Sequence, residues 1–84
     1  AALLAEQGQR AIQQSDIPQA YDRFSQAIEL DPANVAAWLG KGLVAQQSIE
    51  KRICFQRVLA LDPHHTQAQT ELQQLEAMEG LLTL

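Results

Sequence analysis

A chain of 84 residues, 46% of them hydrophobic, is enough for one globular core and too short for two independent ones. The formal net charge is −4, and the stretch from His64 to Leu84 holds Glu71, Glu76 and Glu79 without a Lys or Arg, which argues against nucleic acid or an anionic membrane surface as partner. The one cysteine, Cys54, excludes an internal disulfide, and no apolar run approaches the ~20 residues of a bilayer span, so a reducing, cytoplasmic setting without membrane insertion is expected. The chain opens on Ala1 rather than Met, and a processed chain or a piece of a longer one is the expectation.

Apolar periodicity then predicts helices one after another. Leu4, Gly8, Ala11 and Ile12 fall on one face of a first helix. Asp16 is placed to cap a second, with Pro18 in its first turn, and Ile17, Ala20, Tyr21, Phe24, Ala27 and Ile28 follow the i, i+3, i+4 spacing of a buried stripe. Asp31-Pro32 stops that helix. Val35, Trp38, Leu39, Gly42 and Leu43 make a third stripe, and Phe55, Val58 and Leu59 a fourth, which ends at Asp62-Pro63. Ala68, Leu72, Leu75, Met78 and Leu82 form a fifth, with Gln and Glu on its far side.

The third and fourth stripes repeat the first and second. Ala27-Ile28-Glu29-Leu30-Asp31-Pro32 returns as Val58-Leu59-Ala60-Leu61-Asp62-Pro63, Phe24 aligns with Phe55, and Leu4 and Gly8 align with Trp38 and Gly42. Glycine inside a helix costs about 1 kcal/mol relative to Ala, and close approach of paired helices is the compensation expected at Gly8 and Gly42. The domain thus divides into residues 1–34, 35–65 and a closing helix, 66–84. The register slips once: Gly8 and Gly42 are 34 residues apart, Phe24 and Phe55 only 31. The three missing positions are expected in the second inter-helix turn, around Gln46 to Glu50. Ser48-Ile49-Glu50 barely supplies the residues an antiparallel pair needs, so a truly shortened turn and three loop residues lost from the sequence as written stand as alternatives.

Gly8, Ala20, Phe24, Ala27 and Pro32, with Trp38, Gly42, Phe55 and Pro63, resemble the tetratricopeptide repeat family over residues 1–63. Ala11 and Ala45 depart from it, where Tyr is frequent, as does Lys51, where a small buried Ala is expected. The resemblance implies an all-α fold of antiparallel helical hairpins stacked as a short right-handed α-solenoid, closed by a solvating last helix. It also implies that first helices line a concave groove for a partner segment. Here that groove would present Ala2, Ala5, Gln9, Ile12 and Gln13 from the first unit and Ala36, Leu39, Leu43, Gln46 and Gln47 from the second. Leu39 and Leu43, one turn apart, would hold an apolar side chain; packing on neighbouring helices accounts for them equally well. The family's carboxylate clamp is ruled out, because the matching positions hold Ala5, Gln9, Gly40, Gln67 and Glu71 and supply no cation.

The expected function is therefore a scaffold or adaptor that binds a protein or peptide. The alternatives are a self-assembling repeat domain, for which Leu81, Leu82 and Leu84 supply an apolar tail, and an accessory segment of a larger enzyme or transport protein. No catalytic residue, metal or cofactor is assigned. Adjacent His64 and His65 lack further ligands at metal spacing, Cys54 reads as a packing residue, Trp38 as a junction residue between units, and Glu71, Glu76 and Glu79 as a solvated helix face.

Overall fold

A computed structural model describes residues 2–82, and the side-chain surroundings of 2–80. It contains α1 (Ala2–Gln13), α2 (Ile17–Leu30), α3 (Val35–Val44), α4 (Ser48–Leu61) and α5 (Thr66–Leu82), with no strand among the described residues. Each helix packs on the next in chain order and α1 also reaches α3. Among the described residues no packing comparable to these brings α1 or α2 onto α4 or α5, a Tyr21–Glu50 hydrogen bond linking α2 to α4, so the helices lie in a row rather than closing into a ring. The extents, 42 × 27 × 18 Å, reflect that row.

Local chemistry sets the helix ends. The Asp16 carboxylate accepts the Gln19 amide at 3.2 Å and Asn34 accepts the Ala37 amide at 3.1 Å, each satisfying a donor that the first turn of a helix leaves open. His65 does the same for α5, its Nδ1 accepting the Ala68 amide at 3.1 Å. His65 thus occupies the place 31 residues beyond Asn34 and performs the same capping role. At the other end of α1, Asp16 N–H donates to Ala11 O at 2.8 Å and Ser15 N–H to Ile12 O at 2.9 Å, with Ser15 at φ 61°. This crossed pair is the Schellman ending, whose left-handed residue is usually glycine.

The core is organised by two phenylalanines. Phe24 on α2 is fully buried and lies against Gly8 of α1, where an added Cβ would come within 2.7 Å of the ring. Phe55 on α4 lies on Gly42 of α3 in the same way, at 2.6 Å. The two pairs occupy matching places in the two units, so the glycines sit where helices must approach closely. Burying a Phe side chain contributes about 1.5–3 kcal/mol, which offsets the helix propensity lost at the facing glycine. Phe24 also touches Gly40 of α3, a contact between units that periodicity did not single out.

The three-residue slip falls elsewhere than expected. Gln14, Ser15 and Asp16 connect α1 to α2, and Ala45, Gln46 and Gln47 connect α3 to α4, so both connections have three residues. Ser48, Ile49 and Glu50 already form the first turn of α4. The shortening is taken from α3, which stops at Val44, whereas the counterpart of α1's last residue, Gln13, would be Gln47. Closing a helical hairpin needs a few residues, so the deficit is absorbed by a helix end.

One further expectation changes, on α5. Met78 is 60% exposed, so the described part of the α5 stripe that faces the core ends at Leu75. Trp38 is half-buried where the two units meet: its indole N–H donates to Pro32 O of the first unit at 2.7 Å, and the Arg57 guanidinium of the second lies 5.4 Å from its ring centroid. Gly40 against Phe24 supplies a second and tighter contact between units. The side chains of the Leu81, Leu82 and Leu84 tail lie outside the described residues.

Candidate functional site

The face shared by α1 and α3 carries most of the residues expected to meet a partner. Ala2, Gln9 and Gln13 are exposed on α1, and on α3 Ala36 is exposed and Leu43 is 37% exposed. Ile12 and Leu39 are half-buried, and Ile12 leans on the cluster of Ala11, Ala20, Phe24 and Val44. Ala5 is a correction. At 5% exposure it is part of the core, since it packs on the same side as Gly8 of a helix held close to its neighbours.

Gln46 and Gln47 lie in the turn between α3 and α4. Because α3 ends at Val44, both side chains are exposed there. They line an open pocket of about 570 Å³ with Val44 and with Ile17, Pro18 and Tyr21 from the start of α2. The truncation of α3 accounts for this hollow.

Polar groups fix the geometry at the rim. The Tyr21 hydroxyl donates to Glu50 Oε2 at 2.7 Å, and the Lys41 ammonium stands 5.1 Å from the Tyr21 ring centroid. The bond to Glu50 pushes the Tyr21 phenol above its ordinary value, because ionisation would set a phenolate beside a carboxylate; burial and the Glu50 charge act in the same direction. Lys51 donates to Gly42 O at 2.9 Å and Leu43 O at 3.2 Å, taking up carbonyls that the end of α3 leaves unpaired. Lys51 was legible only as a departure from a small residue; its capping role depends on where α3 stops.

Residues considered for chemistry are otherwise engaged. Cys54 is buried, and desolvation raises its thiol above the ordinary range despite the opposing charges of Lys41 and Lys51. His64 is exposed and His65 caps α5. Among the described residues no group of three His, Cys, Asp or Glu side chains converges as a metal site would require, and no helix is long and apolar enough to cross a membrane. Of the positions matching the carboxylate clamp, Ala5 and Gly40 are buried.

The chain matches no protein-family model, and no curated protein matches it.

Proposed function

We propose that this chain is a binding module for a segment of another protein, held along the face formed by α1 and α3. The observation that carries the reading is Leu43, a 37% exposed leucine one turn from half-buried Leu39, with the uncharged Gln9 and Gln13 on the neighbouring helix. An apolar seat flanked by adaptable amide groups suits an apolar anchor on a helix or extended peptide. The contact of α1 with α3, without a comparable one between α2 and α4, supports an inward curvature on that side. The matched pairs Gly8–Phe24 and Gly42–Phe55 support a tetratricopeptide-type array as the scaffold. No cofactor or catalytic step belongs to this reading.

Selection of a displayed peptide library on the chain tests it. Selected peptides are expected to lose at least tenfold in affinity, about 1.4 kcal/mol, on Leu43→Arg, with unchanged helical circular dichroism. Equal binding to both proteins would move the site off this face.

Self-association is favoured by a separate observation. Ile49 and Ile53, 62% and 52% exposed, stand one turn apart on α4. A mass that rises with concentration and returns to the monomer value in Ile53→Glu would establish that reading in place of the first.

A further inference from the structure

A second hollow, of about 220 Å³, opens between α1 and α2 on a different side of α1 from Gln9 and Gln13. Helical spacing builds it. Gln7 and Arg10 are three residues apart on α1, Gln14 follows at the next turn, and Gln19 and Arg23 are four apart on α2, so each set projects from one helix edge. Ala11, buried in the core, closes the floor. The lining brings together two guanidinium groups and three primary amides, and it includes no carboxylate.

The charges in this hollow are uncompensated. Among the described residues neither Arg10 nor Arg23 has an ion pair, and Arg23 Nε is buried with no hydrogen-bond partner. Of the acids near in sequence, Asp16 caps α2 by accepting the Gln19 amide and Asp22 accepts from Gln26 at 2.8 Å, while Glu6, one turn before Arg10 on α1, forms no ion pair with it. Two cations facing one hollow repel each other, so an anion between them is favoured. An anionic oxygen group placed there would meet the terminal N–H groups of both arginines, because the forked N–H groups of Arg match the paired oxygens of a carboxylate or phosphate.

We propose that Arg10 and Arg23, with Gln7, Gln14 and Gln19 around them, form an oxyanion-binding site that accepts a carboxylate or phosphate group. The site is independent of the α1/α3 face and stands or falls without it. Arg23, which is half-buried, supplies the inner guanidinium and Arg10, which is exposed, the outer one.

The test follows the Nε–Hε resonances of both arginines by NMR during separate additions of inorganic phosphate and of acetate, at ionic strength held constant with chloride. At least one anion is expected to give saturable shifts with a dissociation constant on the order of millimolar. Binding should weaken tenfold or more in Arg23→Gln and in Arg10→Gln, the second of which alters an exposed side chain and so leaves folding intact. Stronger saturation by phosphate assigns a phosphoryl ligand, and stronger saturation by acetate a carboxylate. Shifts that rise linearly without saturation, or that persist in Arg10→Gln, would overturn the proposal.

Discussion

The Phe24 ring of α2 lies so close to the backbone of Gly40 on α3 that a methyl group at position 40 would overlap it. The ring is fully buried and also touches Gly8, so it has no open direction in which to yield. Gly40→Ala is therefore expected to destabilise the chain by about 2 kcal/mol: overpacking costs about 1–3 kcal/mol and outweighs the propensity gain of up to about 1 kcal/mol. Gly80→Ala provides the contrast, since a Cβ there meets nothing within 4 Å, and it should be neutral or slightly stabilising. Denaturant midpoints of the two variants check the difference. Equal midpoints would mean that the units do not meet through Phe24.

Lys51 offers a second test, because its ammonium holds two carbonyls at the end of the shortened α3. Lys51→Ala should cost about 1–2 kcal/mol, in the range of a charge-assisted hydrogen bond less the entropy recovered by a freed side chain. Lys51→Met, which keeps the stem and removes the charge, should cost nearly as much if capping rather than packing is at stake. Faster amide exchange confined to the last turn of α3 would locate the effect.

Tyr21 is the only tyrosine, so its ionisation can be followed by ultraviolet absorbance without interference. Its pKa is raised above the model-compound value of 10.0, first by the bond to Glu50, then by burial and the Glu50 charge. The neutral phenol is the form the fold favours. Its stabilising contribution is complete below pH 10.0, and it declines as pH rises from there through the folded-state pKa. The titration midpoint should lie above that of a free tyrosine and move back toward it in Glu50→Gln, while an unchanged midpoint would mean that the Tyr21–Glu50 bond does not persist in solution.

Much of this architecture is legible in the residues, and the exceptions share a cause. Gly8, Phe24, Gly42 and Phe55 announce the tight helix pairs, and Asp16 announces a cap, because each depends on spacing within one or two helices. Where the missing three residues were taken from could not be read, since α3 and its connection contribute to one total length and a hairpin protects its turn at the helix's expense. Met78 and Ala5 show the same limit from two sides. Periodicity assigns a residue to a face, but whether another element covers that face is a tertiary matter: α5 leaves Met78 open, and the close pairing of α1 encloses Ala5. Arg10 and Arg23 carried a weak signal, as polar residues at helical spacing with glutamines, yet the hollow between them exists only once α1 and α2 are side by side.

Ser15 provides the last prediction, and it turns on backbone geometry alone. At φ 61° it occupies the left-handed region, where a Cβ is crowded, in order that Asp16 and Ser15 amides reach Ala11 and Ile12 carbonyls. Glycine adopts that conformation without the steric cost, although it also gains freedom in the unfolded chain, so the two effects oppose each other. The steric term is about 1–2 kcal/mol and the entropic one about 0.4–1 kcal/mol, so Ser15→Gly should stabilise the chain by roughly 0.5–1 kcal/mol. The corresponding connection after α3 contains no left-handed residue, since Ala45 is extended at φ −62°, ψ 142° and Lys51 takes the free carbonyls instead. Ala45→Gly should therefore destabilise, because it removes a buried methyl and adds freedom to the unfolded chain without relieving strain. Thermal melts of the two variants should shift in opposite directions; a shift of the same sign in both would mean that α1 and α3 end alike.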